Sequence, residues 1–70
     1  MRFRDLCTHE AEARVKRFID DAAANAITDQ AIEFTSQMQA AFARYGLDAF
    51  VSDAQLDWLE QLAGYALPVV

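Results

Sequence analysis

This 70-residue sequence has few of the residues that cross-link a chain or break its regular structure: one cysteine, one proline and two glycines. The single cysteine, Cys7, excludes an internal disulfide and favours a reducing compartment. So little proline and glycine excludes a sheet of many short strands, which would need more turns. No apolar run approaches the ~20 residues that cross a bilayer, and no signal-peptide core follows the first residues. We therefore expect a cytoplasmic protein.

Apolar residues make up 54% of the chain, and alanine supplies much of that fraction. Alanine has the highest helix propensity and is depleted in strands, so this composition favours helices. A chain of this length forms one small domain. We predict an all-α, compact three-helix domain spanning residues 1–70, with helices at about 8–25, 29–45 and 53–64. Residues 1–7 and 67–70 are expected to be arms that either pack on the core or contact other molecules.

The third helix has the clearest start signal. Ser52 followed by Gln55 forms a capping box, in which each side chain bonds the backbone N–H of the other residue. Val51 and Leu56 stand at the positions of a hydrophobic staple. Gly64 either caps this helix or weakens it, and Pro68 stops it.

The first two helices show similar signals. Thr8 is the expected N-cap of the first, which ends near Asn25, and Thr28 is the expected N-cap of the second. Ile27 and Ile32 stand at staple positions around Thr28. Helical spacing predicts two buried faces and a capped end of the second helix. The first face comprises Ala11, Val15, Phe18, Ile19, Ala22 and Ala26. The second comprises Ala31, Phe34, Met38, Ala41, Phe42 and Tyr45. Gly46 is then expected as a left-handed cap, with Leu47 packing back on Phe42, and Phe50 and Val51 are expected to close the core.

Charge is distributed unevenly along the chain. The net charge is −5, yet residues 1–19 hold five cations and three acids. Residues 20–70 hold eight acids and a single cation, Arg44. Acids of the first helix have cationic neighbours at i,i+4, which stabilise an exposed helix face. These pairs are Glu10–Arg14, Glu12–Lys16, Lys16–Asp20 and Arg17–Asp21.

No residue pattern indicates catalysis or a cofactor. Cys7 and His9 are the only soft metal ligands, and a zinc site needs four ligands. The sequence contains no glycine-rich phosphate loop, nucleophile elbow or HExxH pattern. Catalytic carboxylates need a desolvated cleft, for which three short helices leave little room. We predict no enzyme activity, no metal and no cofactor.

Unpaired acids on the second and third helices are the strongest functional signal. Such carboxylates create a field that steers basic partners, and large basic surfaces are typical of nucleic-acid-binding proteins. We therefore predict a binding protein that occupies such a surface and blocks access of DNA or RNA. Trp58, at the edge of the third helix's apolar stripe, is either core rim or an aromatic anchor. The predicted contact residues are Asp20, Asp21, Asp29, Glu33, Asp53, Asp57, Trp58 and Glu60.

Small size, acidic charge, absence of cysteine pairing and absence of catalytic signatures together resemble the small acidic inhibitors of bacteriophages, such as anti-CRISPR proteins. Several of that group resemble DNA in charge, which implies a CRISPR effector as the partner and the host cytoplasm as the location. The pattern Ser52-Asp53-x-Gln55-x-x-Trp58-Leu59-x-x-Leu62 is also similar to a short helical tail of assorted phage and replication-associated proteins.

Two other functions remain open from the sequence. The chain could form a homodimeric structural or regulatory module through apolar contacts, with Phe50, Trp58, Tyr65 and the Val69–Val70 tail at the interface. It could also serve a replication or single-stranded DNA complex as an accessory module that uses its basic N-terminal arm. Direct nucleic-acid binding is opposed by the acidic second and third helices, because that affinity comes largely from Lys and Arg.

Overall fold

The computed structural model describes residues 1–6 and 11–67. These residues form three α-helices and two 3-10 turns: α1 is Ala11–Ala24, α2 is Asp29–Tyr45 and α3 is Asp53–Ala63, with the turns at Phe3–Asp5 and Gly46–Asp48. Extended pairing within this part is limited to one antiparallel bridge, between Arg2 and Phe50. The predicted all-α, three-helix fold is confirmed. None of the described helices is long and apolar enough to cross a membrane.

Helix α1 is the centre of the domain, because it packs against both α2 and α3. Its buried residues are Val15, Phe18, Ile19 and Ala22. They recur at the i, i+3, i+4, i+7 spacing of one helix face, as predicted. The proposed N-cap Thr8 and the Glu10–Arg14 pair involve residues outside the described part.

The end of α1 is joined to the end of α3 by Asn25. The helix ends at Ala24, one residue before the predicted end. The Asn25 side-chain amide donates to the carbonyl oxygen of Leu62 at 2.7 Å. The last four carbonyls of a helix have no intrahelical donor, so Asn25 supplies a donor to α3 from the turn that follows α1.

Helix α2 begins as predicted, with the Thr28 hydroxyl accepting from the backbone N–H of Ala31 at 3.1 Å. The hydrophobic staple expected beside it is wrong. Ile27 is 89% exposed and Ile32 is also exposed, so no apolar contact holds the entry to the helix. The Thr28 hydrogen bond therefore defines this helix start without the staple.

The far end of α2 departs from the prediction at two residues. Tyr45 was expected in the buried face but is 55% exposed, since the chain leaves the helix at this point. Gly46 has φ +60° and ψ −135°, outside the left-handed helical region, although its N–H still donates to the Phe42 carbonyl. Leu47 packs against the core from the following 3-10 turn.

The connector to α3 places one expected core residue in solvent. Successive side chains of an extended segment point to opposite sides. Ala49 and Val51 are fully buried, so Phe50 between them points outward and is 66% exposed. The prediction that Phe50 closes the core is wrong. Phe3, which is fully buried, packs edge-to-face on Phe42 with ring centroids 6.1 Å apart.

Backbone hydrogen bonds dock the N-terminal arm on this connector. The N–H of Phe3 donates to the Ala49 carbonyl at 3.2 Å, and the N–H of Val51 donates to the Met1 carbonyl at 2.7 Å. Residues 1–6 are therefore a packed part of the domain.

Helix α3 has the predicted capping box. The N–H of Gln55 donates to the Ser52 hydroxyl at 3.1 Å, and the N–H of Ser52 donates to the Gln55 side-chain oxygen at 2.9 Å. Val51 is buried and Leu56 packs against the core, as a staple requires. Gly64 is the left-handed C-cap, with φ +87° and ψ +7°. Leu67 is buried on the core, and residues 68–70 lie outside the described part.

Candidate partner-binding surface

The two predicted contact residues of α1 are engaged within the domain. Asp20 accepts from Lys16 Nζ at 2.8 Å and from the Gln39 amide at 3.1 Å. The Lys16 and Gln39 hydrogen bonds favour the charged form and lower the pKa of the Asp20 carboxyl below its ordinary value. Asp20 therefore links α1 to α2, and a partner would have to compete with these bonds.

Asp21 links α1 to the segment after α3. Its carboxylate accepts from the Tyr65 hydroxyl at 2.6 Å, and the Arg17 guanidinium lies 3.9 Å away. Donation to a carboxylate holds the phenol proton and raises the pKa of Tyr65 above its ordinary value. The Tyr65 ring also packs edge-to-face on Phe18, with centroids 5.6 Å apart.

The acids of α2 are directed outward near the start of that helix. Asp29 is in the first turn, where the helix dipole favours a negative charge. Glu33, one turn later, is exposed and accepts from the Gln37 amide at 3.5 Å. Neither carboxylate has a cation within salt-bridge distance among the described residues.

The three acids of α3 differ in exposure, although their spacing places them on one side of the helix. Asp53 and Asp57 are exposed, whereas Glu60 is half-buried. Asp57 accepts from the Gln61 amide at 3.0 Å. No described cation pairs with any of the three, so α3 retains the acidic row that the sequence predicts.

Trp58 connects α3 to α2 through an aromatic stack. Its ring lies parallel to that of Phe34, with centroids 4.3 Å apart and an angle of 5° between the planes. Trp58 is half-buried, while Phe34 is buried. A shallow hollow of about 350 Å³ opens beside the stack, and the charge on its wall comes from Glu33. The lining residues are Gln30, Glu33, Phe34, Gln37 and Trp58.

Helix geometry divides the predicted contact residues into separate surfaces. At ~100° per residue, Asp57 lies about 100° from Trp58 around α3, while Glu60 lies about 160° away. Glu33 lines the same hollow as Trp58, so a rigid partner seated on Trp58 can reach it, whereas Glu60 lies on nearly the opposite side of α3. We call Asp29, Glu33, Asp57 and Trp58 the acidic surface.

Two features of the molecule were not predicted from the sequence. Arg4 Nε lies 2.6 Å from Asp48 Oδ1. Asp48 therefore has a cationic partner, although that partner stands 44 residues away in the sequence. Tyr45 and Phe50 are both exposed and line a hollow with Arg2 and Asp48. Hydrophobicity alone predicts that Phe50 is buried. Its exposure follows from the burial of both its neighbours, Ala49 and Val51.

No metal site is formed by the described residues, among which no three His, Cys, Asp or Glu side chains are grouped closely enough. Cys7 and His9 are outside the described part.

The fold and the acidic surface thus define a small all-α domain with a charged helical face. Comparison of the chain with protein-family models, with curated proteins and with solved structures finds no match.

Proposed function

We propose that this protein is a non-enzymatic binding protein whose acidic surface occupies a basic, nucleic-acid-binding surface of a partner protein and blocks access of DNA or RNA. The observation that carries the proposal is the position of Glu33 in the hollow beside a half-buried Trp58. No described cation is paired to Glu33 or to Asp57. A cytoplasmic setting is part of the proposal.

Charge segregation supports a basic partner. The cations of α1 are largely matched by acids on the same helix, as in the Lys16–Asp20 pair. The acids of α2 and α3 lack such matching, so their fields add over that side of the molecule. Fields of this kind accelerate association with an oppositely charged surface and exclude partners of like charge.

The Phe34–Trp58 stack supports a partner rich in arginine. An arginine side chain entering the hollow can place its guanidinium against the exposed part of the Trp58 ring, a contact that contributes about 0.5–2 kcal/mol. Its N–H groups can bond the Glu33 carboxylate at the same time. Arginines arranged to bind phosphates would meet a similar anionic surface here. Small phage inhibitors of the anti-CRISPR type, which the sequence resembles in size and charge, illustrate such a function.

A competition assay tests this function directly. Candidate partners are purified nucleic-acid-binding proteins, including CRISPR effectors, each loaded with fluorescently labelled DNA or RNA. We expect the protein to release the label from its partner, and Glu33→Lys to weaken this release at least about fivefold at low salt. Added salt should reduce the difference, because surface charge interactions are screened.

Glu12→Lys is the matched control. Glu12 is exposed on α1 and lines a hollow with Lys16. Glu12→Lys therefore changes the net charge by the same amount as Glu33→Lys, in a different hollow from the one that Glu33 lines. We expect Glu12→Lys to compete nearly as well as the unchanged protein. Equal weakening by both variants would mean that net charge alone accounts for the loss of competition. No weakening by Glu33→Lys would overturn the assignment of the acidic surface as the contact.

A further inference from the structure

The end of α2 carries an exposed aromatic surface on a different part of the molecule. We call Arg2, Arg44, Tyr45, Asp48 and Phe50 the aromatic end. Arg2, Tyr45, Asp48 and Phe50 line a hollow of about 670 Å³. Tyr45 and Phe50 are both more than half exposed. Grouped exposed aromatic rings are typical of contact surfaces between proteins.

The outward position of Phe50 is enforced by the fold. Ala49 and Val51 on either side are fully buried, and the bridge to Arg2 fixes the backbone between them. An extended segment that buries residues i and i+2 directs residue i+1 to solvent. Phe50 therefore cannot turn into the core without removing Val51 from it, and the ring is presented on a rigid support.

The aromatic end carries both signs of charge. Arg2 contributes a cation to the hollow and Asp48 contributes a carboxylate. Asp48 uses Oδ1 for its contact with Arg4, and its Oδ2 has no hydrogen bond from another described residue. The Arg44 guanidinium lies 5.4 Å from the centre of the Tyr45 ring. A surface that presents aromatic rings, the Arg2 cation and Asp48 Oδ2 can be complementary to a second copy of itself.

We propose that the aromatic end is the contact surface of a symmetric homodimer. In a two-fold interface, residue i of one copy meets residue j of the other, and j meets i. Arg2 of each copy then faces Asp48 of the other, and the Phe50 rings bury against the opposing Tyr45 and Phe50. A single-stranded nucleic acid fits less well, because the net charge of −5 on the whole chain repels phosphates.

The size of the domain limits the strength of this dimer. A standard interface buries ~800 Å² on each partner, which is about one sixth of this molecule's 4611 Å² of accessible surface. The aromatic end alone offers less than that. We therefore expect a reversible dimer with a dissociation constant in the micromolar range or weaker.

Sedimentation equilibrium of the full chain over a range of concentrations tests the dimer. Phe50→Ala removes the central ring from both copies, and loss of an anchor residue weakens an interface at least about thirtyfold per copy. We expect this variant to be monomeric at concentrations where the unchanged protein is dimeric. Ile27→Ala is the control: Ile27 is 89% exposed in the turn between α1 and α2, beyond the opposite end of α2.

A charge exchange tests the predicted pairing. Arg2→Glu and Asp48→Lys should each weaken the homodimer, because each places like charges opposite one another. A mixture of the two variants should associate more tightly than either alone, since each variant then faces its opposite charge. A structural defect in either chain would not produce this recovery.

Three outcomes would overturn the proposal. The unchanged protein could remain monomeric at millimolar concentration, or Phe50→Ala could dimerise as well as the Ile27→Ala control. A monomer that binds a labelled oligothymidine through Phe50 would instead assign the aromatic end to single-stranded nucleic acid.

Discussion

Replacing Phe3 with alanine tests whether the N-terminal arm belongs to the cooperative core. Phe3 is fully buried and packs edge-to-face on Phe42. Its N–H also donates to the Ala49 carbonyl, a bond that the substitution leaves possible. The loss is therefore that of the ring and of the space that it fills.

The expected cost is large for so short a chain. Removing a buried phenylalanine ring costs about 3–5 kcal/mol. A domain of this length has a total free energy of unfolding of about 3.5–10 kcal/mol. We expect Phe3→Ala to lose at least about 30% of the free energy of unfolding and to lower the melting temperature by at least about 12 °C. Phe3→Leu keeps most of the volume and should cost less than about 1.5 kcal/mol.

Urea unfolding followed by Trp58 fluorescence is the suitable assay. Trp58 is the only tryptophan, and its stack on Phe34 must separate when α2 and α3 part. The control is Phe50→Ala at a protein concentration low enough for a monomer, where an exposed ring should change stability by less than about 0.5 kcal/mol. If Phe3→Ala shifts the midpoint no more than Phe50→Ala does, the arm is not part of the core.

Three further predictions concern the helix start and the acids. Ser52→Ala removes one bond of the capping box and should cost about 1 kcal/mol, seen as a melting temperature lowered by roughly 4–8 °C; an unchanged value would contradict the cap. Asp21→Asn should return the raised pKa of Tyr65 toward its ordinary 10.0, measured as the absorbance difference against Tyr65→Phe. In the unchanged protein, the bond stabilises the fold below pH 10 and is lost as pH rises through the raised pKa. Asp53→Lys with Asp57→Lys should weaken partner binding and its salt dependence while circular dichroism stays helical, and unchanged affinity would count against α3 as a contact.

Local sequence signals predicted the helices well. The capping box at Ser52 and Gln55 and the cap at Thr28 involve side chains and backbone groups three residues apart. The apolar stripe of α1 repeats within one helix. Such features depend on neighbouring residues alone, so they can be derived without knowledge of how the helices pack.

Contacts between distant residues could not be derived in that way. Arg4 and Asp48 are 44 residues apart, and Asn25 and Leu62 are 37 apart. No local spacing relates such pairs. The error at Phe50 has the same origin: hydrophobicity predicts burial, but the burial of Ala49 and Val51, together with the occupation of the core by Phe3, leaves that ring outside.

The sequence predicted which acids lack a cationic partner, but not how those acids are arranged in space. Counting charges identified the acids of α2 and α3 as unmatched, and the described structure pairs none of those helices' predicted contact acids with a cation. Their grouping depends on how α2 faces α3, which the Phe34–Trp58 stack determines. That stack brings Glu33 and Trp58 to one hollow and leaves Glu60 on another side of α3.

The acidic surface and the aromatic end are separated along the length of α2. Glu33 and Tyr45 are twelve residues apart on that helix, which at ~1.5 Å per residue is about 18 Å. A dimer joined at the aromatic end therefore leaves both acidic surfaces free, one on each copy. Two such surfaces held together would raise the avidity for a partner with two basic sites. Phe50→Ala would then lower the affinity for such a partner without altering Glu33 or Trp58, whereas Glu33→Lys would lower it without altering the dimer.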